Sequence, residues 1–112
     1  MRITYSNSKV EKYFSDYKEM QKKLPADWVR CIKKHMVRLK AADCFGEFLE
    51  LGLGKPEQLR GYKNIRYSLR VAPNARLVIE PNAEQDTVMI CTEIEVEGVC
   101  DYHGDKENWY IP

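Results

Sequence analysis

Hydrophobic positions in the first third of the chain recur at the spacing of helices, after a short start that alternates like a strand. Residues 1–6 alternate between apolar and polar side chains and predict a strand. Apolar residues then recur three and four positions apart, which predicts a helix over about 8–23. Pro25 interrupts this pattern. A second stripe that includes Trp28 predicts a helix over about 26–42, packed beside the first as a hairpin.

Two polar features of this segment carry structural expectations. Ser8 followed by Glu11 has the spacing of a capping box, so Ser8 is the predicted N-cap of the first helix. His35 lies beside the second apolar stripe in a Lys-rich stretch. It is predicted to be a surface histidine without a catalytic role.

The hydrophobic period changes from helical to two in the second half of the chain. Residues 43–58 are punctuated by Gly and Pro, which predicts a connector with about one helical turn. Alternation afterwards predicts three strands, over Tyr67–Val71, Arg76–Glu80 and Val88–Glu97. The order of elements predicts an α+β fold in one domain, residues 1–112. The N-terminal strand and the helical hairpin should pack on one face of an antiparallel sheet.

The register of the predicted hairpin decides where its cations lie. Its apolar residues should share the core face, so Leu69 is expected opposite a residue such as Ile79. This register leaves an odd-numbered turn in which Asn74 takes the left-handed conformation. Arg70 and Arg76 then emerge close together on the face turned away from the helices.

Composition excludes several classes of protein. A chain of 112 residues with 44% hydrophobic and 31% charged residues fits one compact domain. No apolar run approaches the roughly 20 residues of a spanning helix, and the start does not resemble a signal peptide, so a cytoplasmic protein is expected. The four cysteines show no metal-ligand spacing and are expected to be reduced thiols, with no metal and no cofactor: Cys31, Cys44, Cys91 and Cys100.

Charge is segregated along the chain although the formal net charge is only +1. Residues 55–76 carry 6 Lys or Arg against 1 acidic residue, whereas residues 77–112 carry 1 against 9. General nucleic-acid binders are usually basic overall, so weak affinity for bulk RNA is expected. A solvated surface is the alternative for both groups. Glu93, Glu95 and Glu97 alternate as an exposed strand face would.

A second chemical motif, Asp101-Tyr102-His103, lies near the C-terminus. All three side chains can take part in proton transfer. In an extended strand Tyr102 and His103 point to opposite faces, so both reach one site only if the chain bends, at Gly104. Trp109 and Tyr110 are expected to pack back on the body of the domain, with stacking on a base as the alternative.

Together these motifs resemble the HigB branch of the RelE/ParE family of bacterial toxins. The matching segments, in chain order, are Leu59-Arg60-Gly61, Tyr67-Ser68-Leu69-Arg70-Val71, Arg76-Leu77-Val78-Ile79-Glu80 and Asp101-Tyr102-His103. The resemblance implies a microbial-RNase-like fold and an adjacently encoded antitoxin of helix-turn-helix type. It also implies cleavage of mRNA in the ribosomal A site, with DNA reached only through the antitoxin complex.

Residue roles follow from the same resemblance. It implies catalytic roles for Arg70, Arg76, Tyr102 and His103, and substrate-binding roles for Arg60, Lys63, Arg66 and Asp101. The chain departs from the family pattern at two positions. Ala75 stands where an aromatic residue is frequent, and Glu57 stands where some HigB proteins have a histidine, so the identity of the general base is open.

Metal-independent RNA cleavage needs a base for the ribose 2′-OH, cations for the charge on the phosphorane, and an acid for the leaving 5′ oxygen. Histidine as a residue type can exchange protons near neutral pH, so His103 suits proton transfer, whereas arginines stay protonated and act electrostatically. The expected products are a 2′,3′-cyclic phosphate and a 5′-hydroxyl. Two alternatives stay open: a noncatalytic ParE-like toxin that binds DNA gyrase, and a noncatalytic RNA- or protein-binding module.

Overall fold

The computed structural model describes residues 1–103 and 106–112, except for the side chains of 102, 103, 106 and 107. The helices are α1 (Ser8–Ser15), α2 (Tyr17–Met20), α3 (Ala26–Ala41) and α4 (Phe45–Glu50). The strands are β1 (Arg2–Tyr5), β2 (Glu57–Leu59), β3 (Arg66–Ala72), β4 (Ala75–Pro81), β5 (Glu93–His103) and β6 (Lys106–Ile111). In this part of the chain, none of the helices has the length and apolar character needed to span a membrane.

The six strands form one sheet with the order β1-β5-β4-β3-β2, and β6 also pairs with β5. Neighbouring strands are antiparallel except β1 and β5, which are parallel with Ile3 opposite Ile94. The helices cover the sheet face that carries the alternating apolar residues. The helices and this face of the sheet contribute side chains to one buried cluster. The predicted α+β fold is therefore confirmed. The predicted position of the N-terminal strand on one face of an antiparallel sheet is wrong, because β1 is an edge strand of the sheet and pairs parallel with β5.

The first helical segment is interrupted where one continuous helix was predicted. Asp16 adopts an extended conformation with φ −142°, ending α1, and its Oδ1 accepts a hydrogen bond from the Lys18 amide to begin α2. The predicted capping box is also wrong. Asn7, not Ser8, is the N-cap of α1, because its Oδ1 accepts from the Val10 amide at 2.9 Å.

The prediction that His35 lies on the surface is wrong. It sits three residues after Ile32 and four before Leu39, within the stripe of α3 that faces the sheet, and only 2% of it is exposed. Its Nε2 lies 2.8 Å from the main-chain oxygen of Arg70. This partner allows a polar ring to be buried.

Two segments adopt elements that periodicity did not predict. The apolar residues Val88–Ile90 form a 3₁₀ turn, and the strand predicted to begin there begins at Glu93. The turn packs against α4: the Phe45 amide donates to the Cys91 carbonyl at 2.8 Å, and a Cβ on Gly46 would lie 2.8 Å from the Met89 oxygen. The end of the predicted connector also differs, since β2 begins at Glu57 and pairs with β3.

The β3–β4 register differs from the predicted one by two residues, which leaves every side chain on its predicted face. Leu69 lies opposite Leu77, and Arg70 lies directly opposite Arg76. A register irregularity between Arg70 and Ala72 takes up the odd residue. The predicted left-handed Asn74 is wrong, since Lys55 is the only non-glycine residue with positive φ in the described part of the chain.

The corrected N-cap can be tested by stability. Asn7→Ala removes the acceptor for the Val10 amide and should lower the free energy of unfolding by about 1 kcal/mol. Ser8→Ala is the matched control and should change it by less than about 0.5 kcal/mol. Urea unfolding followed by circular dichroism measures both. A larger loss for Ser8→Ala would restore the capping box.

Candidate nucleic-acid interface

Arg70 and Arg76 face each other across β3 and β4, on the sheet face turned away from the helices. The Arg70 amide donates to the Gly54 carbonyl at 2.7 Å, so its main-chain groups point away from β4. The two arginines are thus a non-hydrogen-bonded pair, the type in which opposite Cα atoms approach to about 4.5 Å. Like charges placed directly opposite destabilise a sheet. The arrangement costs stability and concentrates positive charge where an anion would relieve the repulsion.

The two guanidinium groups are held differently. Arg76 is half-buried, and its Nη1 donates to the carbonyl oxygens of Ala72 and Ala75 at 2.8 and 3.0 Å. These bonds fix the side chain to the β3–β4 turn. Arg70 is exposed. One cation is therefore anchored beside a second that reaches into solvent.

Arg66 lies on β3 four residues before Arg70 and makes a separate contact. Its Nε lies 2.6 Å from Glu80 Oε1, and the two side chains are only 22% and 14% exposed. Its guanidinium also lies 4.5 Å from the centre of the Tyr62 ring. Arg66 was predicted to bind substrate, and the structure places its charge against Glu80 and Tyr62 rather than beside Arg70.

Acidic side chains occupy the other end of this face. The carboxylates of Glu80, Glu95 and Glu97 lie within 4.8 Å of one another. The prediction of a solvated acidic face is wrong, since Glu93, Glu95 and Glu97 are all half-buried. Burial, then hydrogen bonding to Glu95 and the charge of Glu80, raises the pKa of Glu97 to about 8. Carboxylate oxygens suit a hard divalent cation. Here, however, the raised pKa of Glu97 favours its neutral form at pH 7, and Glu80 is paired with Arg66.

A cavity of about 410 Å³ opens beside the end of β2. Its walls come from residues 58–65 and 83–85 and include Tyr62. The exposed Arg60 and Lys63, both predicted to bind substrate, line it. Gln58 Nε2 donates to Gln85 Oε1 at 2.8 Å and joins the two walls. The cavity therefore combines two cations with an aromatic ring.

Asp101 does not join the arginine pair. Cys100 is the β5 residue opposite Arg76, so the next residue points to the other face. Burial and then the charge of Asp101 raise the pKa of Tyr110, which places the carboxylate beside that phenol. The Tyr110 ring meets Trp28 edge to face, with centroids 5.3 Å apart. Tyr110 thus packs back on the body of the domain as predicted.

Tyr102 and His103 complete β5, and their backbones pair with Glu107 and Lys106 on β6. Their side chains lie outside the described part of the structure, as does the bend predicted at Gly104. Their proton-transfer roles therefore stay predictions.

Glu57 joins the arginine face, although the sequence marked it only as a departure from a family pattern. It lies opposite Ser68 on β3, and Ser68 alternates onto the same face as Arg66 and Arg70. Its side chain is exposed. The signal was the alternation of Glu57-Gln58-Leu59, which is too short to be recognised without its partner strand. A carboxylate is thus available on the arginine face, on the strand next to β3 and two residues along from Arg70.

The sheet with helices on one face is the fold of RelE-like toxins. The solved structure of the YoeB dimer from Staphylococcus aureus is similar to this chain, with a TM-score of 0.54 and 25% identity. The match covers 92% of this chain and 97% of that one. It supports a toxin of the RelE superfamily broadly and does not single out the HigB branch. No protein-family model matches the chain, and no curated protein sequence does.

The raised pKa of Glu97 predicts how stability depends on pH. Between about pH 4.5 and 8 the folded chain keeps a proton that the unfolded chain has released. The free energy of unfolding should therefore fall as pH rises through this window. Glu97→Gln, which imitates the protonated form, should reduce that fall, whereas Glu84→Gln at an exposed site should leave it unchanged. Urea unfolding at a series of pH values measures this, and identical slopes in all three proteins would contradict it.

Proposed function

We propose that this chain is the toxin of a type II toxin–antitoxin system and that it cleaves mRNA as a ribosome-dependent endoribonuclease. The observation that carries the proposal is the opposed pair Arg70 and Arg76 on the open face of a RelE-like fold, with the Glu57 carboxylate on the same face. The likeness to YoeB supports the class of toxin. The HigB-like motifs in the sequence support the more specific activity.

The arginine pair would bind the scissile phosphate. Guanidinium groups present a planar fork of donors that matches phosphate oxygens. Arg76 is already anchored by the Ala72 and Ala75 carbonyls, so it needs little reorganisation to stabilise charge that develops on the phosphorane. Arg70 supplies the second cation from across the strand pair. The reaction we propose is metal-independent attack by the ribose 2′-OH.

Proton transfer would involve Glu57 and the C-terminal pair. Glu57 lies on the arginine face and can accept the 2′-OH proton as a general base. Tyr102 and His103 remain the proposed donors and orienting groups for the leaving 5′ oxygen. Asp101 would then act through Tyr110 and the C-terminal segment rather than by touching the phosphate.

The substrate would continue from the arginine pair toward the cavity beside β2. Arg60 and Lys63 are suited to phosphates of the neighbouring nucleotides. The Tyr62 ring, held by Arg66, offers a surface on which an unstacked base can lie. Because the net charge is only +1, affinity for free RNA should be low and the ribosome would have to present the mRNA in its A site.

The proposed partners follow from this activity. They are an adjacently encoded antitoxin of helix-turn-helix type, and the ribosome with its mRNA. DNA would be contacted only through the antitoxin complex, and the site of action would be the cytoplasm. The antitoxin would either cover the arginine face or keep it from the ribosome.

Transcript mapping after induced expression tests the proposal. Wild type should give in-frame, translation-dependent cuts that end in a 2′,3′-cyclic phosphate and a 5′-hydroxyl. Arg76→Ala should reduce cutting by about 10²–10³-fold, since it removes a fixed donor to the phosphorane. Arg30→Ala makes the same charge change at an exposed position of α3 and is the control. It should cut like wild type.

Other outcomes of the same experiment separate the alternatives. Toxicity without cuts, accompanied by DNA damage signalling, would favour a ParE-like gyrase inhibitor. A harmless wild-type protein would favour a noncatalytic binding module. Products with a 5′-phosphate would exclude the proposed chemistry.

The general base can be tested separately. Glu57→Gln keeps the size of the side chain and removes its basicity, so cleavage by translating ribosomes should slow by about 10²–10⁴-fold. His103→Ala should also slow cleavage if it supplies the leaving-group proton. Rate measurements across pH identify the groups, since loss of the base removes the acidic limb of the profile. An unchanged acidic limb in Glu57→Gln would return the role of base to another residue.

A further inference from the structure

We propose that His35 is a positioning residue that holds the main chain of Arg70, and through it the guanidinium, opposite Arg76. The inference rests on the proposed function in that Arg70 is taken as a phosphate-binding cation. The contact lies in the core, on the helix side of the sheet. It is therefore separate from the groups that would touch RNA.

The contact completes a strand edge that β2 leaves open. β2 pairs with β3 only up to Ser68, where its first residue Glu57 lies opposite. At Arg70 the amide donates to the Gly54 carbonyl at 2.7 Å, and the carbonyl oxygen lies 2.8 Å from His35 Nε2. The Cys31 thiol also donates to this oxygen, at the longer distance of 3.7 Å. A loop carbonyl, an imidazole and a thiol thus replace the missing strand. Both main-chain groups of Arg70 are held from outside the ladder.

The position needs such support for two reasons. The register of β3 with β4 becomes irregular directly after Arg70. Arg76 also lies directly opposite, and like charges at opposed positions destabilise the strand pair. A main chain tied to helix α3 and to the loop resists both effects.

The ring itself is closely enclosed. Gly54 has φ +78°, and a Cβ at that position would lie 2.5 Å from His35 Cε1. Helix α3, the loop at Gly54 and strand β3 therefore meet at a single point. A side chain at position 54 would displace the imidazole, so the glycine allows the loop to pack directly against the ring that contacts Arg70.

The chemistry of the ring fits a donor to a carbonyl. A carbonyl oxygen only accepts, so Nε2 carries the hydrogen, and Nδ1 is buried without a hydrogen-bond partner in the described part of the chain. Burial lowers the pKa of His35, which favours the neutral ring with this tautomer. An apolar residue would fill the space without burying an unpaired nitrogen. Packing alone does not explain a histidine here, whereas the bond to Arg70 does.

Cleavage by translating ribosomes tests the inference with three variants. His35→Leu fills the site but cannot donate, and kcat should fall about 10–100-fold with little change in KM, as expected when a catalytic group is misplaced. His35→Gln can donate from its amide nitrogen and should recover most of kcat. Met36→Ala, at a neighbouring buried position of α3 that offers no donor, should lose stability and keep kcat. Wild-type kcat in His35→Leu, or equal losses in the Leu and Gln variants, would overturn the inference.

If the wild type cuts no transcripts, the proposed function is contradicted but the positioning role of His35 is not. A second measurement tests that role independently of cleavage. Inorganic phosphate is titrated while the Nε–H signal of Arg70 is followed by NMR. Hydrogen exchange of the Arg70 amide is measured in the same samples. His35→Leu should weaken phosphate binding about tenfold and speed exchange, while His35→Gln should do neither. Unchanged phosphate affinity and exchange in His35→Leu would reject the positioning role.

Discussion

The pairing of β3 with β4 is the constraint on which the rest of the structure depends. Leu69 and Leu77 are fully buried opposite each other, and strand alternation sends Arg70 and Arg76 to the other face. A slip of one residue by either strand would turn that strand's leucine to the other face and its arginine into the core. The energy of burying apolar side chains therefore enforces the placement of two like charges at directly opposed positions. The β3–β4 register therefore determines both the packing of the core and the position of the arginines in the candidate site.

On the sheet face that carries Arg70 and Arg76, positive and negative side chains are concentrated at opposite ends. At one end the arginine pair has no opposite charge among its directly paired described neighbours on β3 and β4. At the other end Arg66 is bonded to Glu80, beside two further carboxylates. The raised pKa of Glu97 favours its neutral form, which reduces repulsion among the three acidic groups of this half-buried cluster. The modest net charge of the chain thus conceals two regions of opposite charge on this face.

Hydrophobic periodicity was sufficient to predict those features of the structure that depend only on the local pattern of side chains. Alternation placed Arg70 and Arg76 on one face, even with the register misjudged by two residues, because face depends only on parity. It failed for Val88–Ile90, where an apolar run packs as a 3₁₀ turn against a helix distant in sequence. Glu57 required knowledge of its partner strand. His35 required a carbonyl that only the folded chain brings to it.

The long strand β5 joins both ends of the chain, and this shapes how the domain can fold. β1 pairs with the first half of β5, with Ile3 opposite Ile94, and β6 pairs with its second half. Contacts between residues so distant in sequence form slowly, because a long loop must close before they contribute. β1 has no strand partner in the described sheet until β5 has been synthesised. The edge strand that begins the chain therefore makes completion of the sheet a late event, after helices formed by local contacts.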